Sequence, residues 1–146
     1  MPENSGGETM RVDTFLESSL DSVDRAEEMA RAVASSVGFK GEDIEKIAMA
    51  VRESMVNAVV HGNRYNANKK VHFLVCNAPD HITIRIADEG DGFDPADLPD
   101  PLAEGNLLRY SGRGIFLIQA FVDEFRVRRL EPAGTEVQLT KYLMHS

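Results

Sequence analysis

The stretch ESMVNAVVHGN, Glu53–Asn63, decides how the rest of the chain is read. Its Val, Ala and Met content suits a helix, and Gly62-Asn63 is a stop signal. Glu53, Asn57 and His61 recur every four residues, so they share one helical face at intervals of about one turn. Their line lies roughly opposite the apolar stripe of Val51, Met55 and Ala58, with Val56 and Val60 on its flanks. Two readings are open. The line can be a solvated helix face. It can also line a ligand site, because an asparagine oxygen is a hard ligand suited to Mg2+, which keeps waters and takes phosphate oxygens. A glutamate one turn earlier can then accept a proton from a hydroxyl or water.

Working outward, this helix starts near Gly41–Asp43, with Ile44, Ile47, Ala48, Val51, Met55 and Ala58 as its core stripe. An earlier helix, within Ser18–Phe39, puts Val23, Ala26, Met29, Ala30, Val33 and Val37 on one face, with Asp21 or a nearby serine as its cap and Gly38 at its end. Met10–Leu16 alternates weakly and reads as a first strand. After the polar loop RYNANKK, Val71, Phe73 and Val75 share one strand face and Ile82, Ile84 and Ile86 another, with NAPD as the hairpin turn. GIFLIQAFV reads as a short, largely buried helix, and DEFRVRRL and GTEVQLTKY read as two last strands around the turn EPAG. The expected fold is α+β: a two-layer sandwich with helices on one face of a mixed, largely antiparallel sheet.

The 146 residues favour one domain, residues 10–146, behind a flexible leader at 1–9. The leader lacks the basic start and apolar core of a signal peptide, and no apolar run approaches the roughly 18 residues of a membrane span, so a cytoplasmic location is expected, without membrane contact. The net charge of −8 argues against direct nucleic-acid binding. The single cysteine, Cys76, excludes an internal disulfide and multi-cysteine metal sites, and its place in a strand suggests a buried thiol.

Three further motifs carry chemistry. DEGDGF, Asp88–Phe93, follows the Ile82–Ile86 strand; its alternate glycines allow close ligand approach, and an acceptor-only carboxylate there suits an exocyclic amino group. A plain acidic turn is the other reading. SGRGIF, Ser111–Phe116, opens a helix whose free N–H groups, with Arg109 and Arg113 nearby, suit an anion; it is neither a Walker loop nor a dinucleotide fingerprint. GTEVQL, Gly134–Leu139, says turn and then strand, with Thr135 able to hydrogen-bond near a base.

In order, ExxxNAxxHG on a helix, DxGxG after a hairpin, SGxG opening a helix and GT before a strand resemble the GHKL (Bergerat-fold) ATPase superfamily over about residues 10–143. NAVVHGN, SGRGIFLIQAFVDEF and GTEVQLTKY look most like the bacterial anti-sigma-factor serine/threonine kinases. The resemblance implies ATP and Mg2+. It makes Glu53 the general base and Asn57 the Mg2+ ligand, and puts Asp88 on the adenine amino group with Gly90 and Gly92 passing the base. Gly112, Gly114 and Ile115 fit the phosphate-binding lid and helix start, Arg109 or Arg113 can reach the γ-phosphate, and Thr135 supports the adenine contact through water. His61 takes no catalytic role and is expected to pack, buried, beside the site.

The lid has two glycines where histidine kinases have three, which fits the anti-sigma group, while Arg113 between them is unusual. None of the four histidines lies on a helix ahead of the nucleotide motifs, and a following transducer domain is not expected. The implied function is an ATP-dependent serine/threonine kinase that phosphorylates a small anti-sigma antagonist, binds a sigma factor and works as a homodimer. The alternative is a non-catalytic nucleotide-binding adaptor that regulates a partner.

Overall fold

The computed structural model describes residues 10–90 and 114–143. The elements run β1 (Arg11–Glu17), α1 (Leu20–Val37), α2 (Gly41–Val56), a π-helical turn (Asn57–Gly62), β2 (Lys70–Ala78), β3 (His81–Ala87), α3 (Gly114–Phe121), β4 (Glu124–Arg129) and β5 (Thr135–Tyr142). The leader expected at 1–9 lies outside the described residues.

The strands form one five-stranded sheet in the order β1-β2-β3-β5-β4, antiparallel at every pairing among the described residues. Period-two patterning sets its register. Phe73 pairs with Ile86 and Val75 with Ile84, and Ile84 and Ile86 pair onward with Leu139 and Val137. These side chains all point to one face and are buried, because a one-residue slip would turn the whole set to solvent. The helices cover that face. Val23, Ala26, Ala30 and Val33 of α1 and Ile47, Val51 and Met55 of α2 join the strand residues in one core. The result is the α+β two-layer arrangement that the patterns predict.

Three local expectations change. α1 begins after Ser19, whose side chain makes no capping bond to the backbone and lies against the Ser22 hydroxyl at 3.4 Å instead. α3 buries Ile118, but Leu117, Gln119 and Ala120 are exposed, since so short a helix turns only one face inward, toward α2. Cys76 is half-buried, because it lies on the sheet face opposite Val75, away from the helices.

Candidate functional site

The α-helical hydrogen bonding of α2 continues to Asn57, whose N–H donates to the Glu53 carbonyl. Glu53 and Asn57 are therefore one turn apart, as the spacing requires. Glu53 is half-buried and Asn57 is 3% exposed. The Asn57 Nδ2 is fully buried with no hydrogen-bond partner among the described residues. A buried amide left open at one end is costly, and such groups mark places where a ligand completes the bonding.

Beyond Asn57 the chain widens into the π-helical turn, and the Asn63 N–H bonds back five residues to the Ala58 carbonyl at 2.8 Å. This changes which residue stacks on Asn57. With bonds spanning five residues, His61 falls short of a full turn and is exposed, while Gly62 comes round to the buried side. His61 is thus not the buried histidine that four-residue spacing suggests. π-Turns of this kind occur often at functional sites.

Gly62 meets the end of β3. A Cβ there would overlap the Asp88 carboxylate, and a Cβ on Gly90 would overlap the Gly62 carbonyl. Gly134, at φ +116°, passes so close to the Asp88 carbonyl that a Cβ would overlap it as well. Three glycines thus let three backbone segments converge on one acid.

Asp88 is 3% exposed. Its Oδ1 accepts from the Gly90 N–H at 3.0 Å and the Thr135 N–H at 3.1 Å, and the Asp88 N–H donates to the Thr135 carbonyl at 3.0 Å. Oδ2 faces Gly62 and accepts no hydrogen bond among the described residues. Desolvation raises the carboxyl pKa to about 6, outweighing the two N–H bonds that pull it down. At neutral pH the group is an anion with one oxygen held by the backbone and the other available as an acceptor.

The structure therefore brings together Asp88, Gly90 and Thr135, with Thr135 buried beside Asp88, while Glu53 and Asn57 sit one turn apart on α2, at the start of the turn whose end, Gly62, meets Asp88. The backbone of Gly114 and Ile115 opens α3, as SGxG predicts. Gly92, Arg109, Gly112 and Arg113 lie outside the described residues. Sequence reading does not mark Gly62 or Gly134 as site residues. Gly62-Asn63 was legible only as a helix stop, and Gly134 only as a turn.

Among the described residues no three His, Cys, Asp or Glu side chains form a metal-binding group. Asn57 fits a magnesium ion in another way: its amide oxygen is a hard ligand, its buried amide is not fully bonded, and Mg2+ is commonly held by few protein ligands plus waters and phosphate oxygens. No helix among the described residues is long and apolar enough to cross a membrane.

The sequence matches the histidine kinase-like ATPase domain family over residues 16–141. It is 33% identical over 123 residues to the serine-protein kinase RsbW of Bacillus subtilis, covering 76% of this chain and 72% of that one. It is 35% identical over 108 residues to the anti-sigma F factor of Bacillus thuringiensis, covering 72% and 73%. In fold it is similar to the crystal structure of the RsbU and RsbW domains of Rv1364c from Mycobacterium tuberculosis, with a TM-score of 0.67 and 18% identity. That match covers 94% of this chain and 33% of the longer one. With the family matched across nearly its whole length, this chain belongs to the histidine kinase-like ATPases.

Proposed function

We propose that this protein is an ATP-dependent serine/threonine kinase of the anti-sigma type, which phosphorylates a small antagonist protein and binds a sigma factor. One observation carries the nucleotide site: Gly62, at the end of the turn that starts at Asn57, abuts the buried Asp88 carboxylate. The turn that continues the α2 helix and a strand-end acid, separate in sequence, thus meet at one place. The serine-protein kinase and anti-sigma names of the relatives support the reaction and the partner classes.

In this reading the free Asp88 oxygen accepts a hydrogen bond from the adenine amino group, and Gly90 and Thr135 hold the other oxygen. Asn57 holds Mg2+, which neutralises phosphate charge when bound. The family resemblance assigns the phosphates to the helix start at Gly114–Ile115 and to Gly112, with Arg109 or Arg113 reaching the γ-phosphate, and assigns Gly92 to the passage of the base. Glu53 takes the proton of the incoming serine hydroxyl as its oxygen bonds to the γ-phosphorus and the bond to the ADP oxygen breaks. The working form is a homodimer.

The test is incubation of the cognate antagonist with the kinase and Mg·ATP, followed by mass spectrometry of the antagonist. The expected product carries one added phosphoryl group on a serine or threonine. An unmodified antagonist that nevertheless binds only in the presence of nucleotide contradicts the kinase reading and favours the adaptor.

A further inference from the structure

The Asn63 side chain has had no part so far, yet the residue is 2% exposed and its amide is bonded at both ends. Its Nδ2 donates to Ser18 Oγ at 2.9 Å and to the Lys70 carbonyl at 3.0 Å. Its Oδ1 accepts from the Glu89 N–H at 2.8 Å. Glu89 closes the ring from the other side, since its Oε1 accepts from the Lys70 N–H at 2.8 Å. Ser18 in turn donates to the Lys69 carbonyl at 2.5 Å. One side chain therefore ties the end of the π-turn to the start of α1, the start of β2 and the turn after β3.

The Glu89 link matters most. Glu89 lies between Asp88, whose carboxylate faces Gly62, and Gly90, whose N–H holds that carboxylate. Gly62 is the residue before Asn63. The gap between Gly62 and Asp88 is thus bridged, one residue further along each chain, by the Asn63–Glu89 bond. Close backbone approach at Gly62 and Gly90 permits this position of the carboxylate, and the Asn63 bond fixes it.

We propose that Asn63 is a positioning residue for nucleobase selection, holding the Asp88–Gly90 turn against Gly62 so that the free Asp88 oxygen meets a purine amino group. This rests on the nucleotide reading of Asp88. The readout is the ratio of affinities for Mg·ADP and Mg·IDP, measured by titration calorimetry. IDP has a carbonyl oxygen where ADP has the amino group, so the ratio reports the Asp88 contact and cancels the phosphates. A hydrogen bond to a charged group predicts a wild-type preference for ADP on the order of 10- to 100-fold.

Asn63→Ala is expected to weaken ADP by roughly tenfold and IDP little, so the ratio falls toward one. Val33→Ala, a core truncation in α1, is the control: it lowers Tm and leaves the ratio unchanged. If Asn63→Ala does not fold, Glu89→Ala decides. It removes only the exposed carboxylate that holds the Lys70 N–H, and a fall of about threefold in the ratio near wild-type Tm is expected. An unchanged ratio in whichever variant folds, or equal loss of both nucleotides, overturns the proposal. A wild type that binds ADP and IDP alike removes the Asp88 reading, and this inference with it.

Discussion

Two polar clusters in this molecule are built on opposite terms. On the outer side of α1 and α2, Arg31 contacts Glu27 at 3.2 Å and Glu45 at 2.6 Å, and Arg52 contacts Asp24 at 3.2 Å and Glu27 at 3.0 Å. These charges keep their water. The bonds to Glu45 and Glu27 raise the Arg31 pKa and the bond to Arg31 lowers that of Glu45, yet exposed pairs of this sort add little to stability. At the other cluster Asp88 and Asn57 are buried, Asp88 is an anion with a raised pKa, and Asn57 has an open amide end. Well-bonded surface charge is cheap and dispensable. Underbonded buried polarity is costly, and it stands where a ligand can complete it.

Breaking the buried cluster gives the largest effects. Glu53→Ala should leave Mg·ADP binding close to wild type and slow phosphoryl transfer to the antagonist by about 10²- to 10⁴-fold, read by radiolabel transfer. A wild-type rate would remove the general base. Gly62→Ala comes next. Its Cβ overlaps the Asp88 carboxylate, so either the acid or the π-turn must shift, with an expected loss of about 1–3 kcal/mol of stability in urea unfolding and weaker ADP binding.

The pH dependence sharpens the contrast. Burial pushes the Asp88 carboxyl from its ordinary 3.8 up to about 6 in the fold. The native chain takes up this proton first as pH falls, so the contribution of Asp88 to stability is complete below about pH 4 and is lost as pH rises through 6. That rise from 3.8 to about 6 corresponds to ~3 kcal/mol. Asp88→Asn keeps an oxygen for the Gly90 and Thr135 N–H groups without the buried charge. Its Tm at pH 8 should exceed that of the wild type by a few degrees, and the gap should close as pH falls toward 4. The smallest effect belongs to the other cluster: Arg31→Ala should move Tm by about 2 °C or less.

Much of this was legible in advance. The alternation of Val71, Phe73 and Val75, and of Ile82, Ile84 and Ile86, marks a hairpin and its buried face, and the structure pairs the two strands as such. Asp88 stood out as an acid at a strand end before glycines. The π-turn did not show. Apolar spacing marks a helical face, but the choice between four- and five-residue hydrogen bonds depends on what the helix end meets, here the β3 turn. Hence four-residue counting put His61 where Gly62 belongs. Asn63 was illegible for a related reason. Two of its side-chain bonds reach residues 45 and 26 positions away, and no local pattern encodes such partners.

The central claim is that a nucleotide base is held by the carboxylate of Asp88. Its most direct test is calorimetric titration of Mg·ADP into wild type and Asp88→Asn at pH 8. The account predicts a loss of affinity on the order of 100-fold in a variant that melts no lower than the wild type, because an amide N–H then faces the adenine amino group. Equal affinity in the two folded proteins would contradict it.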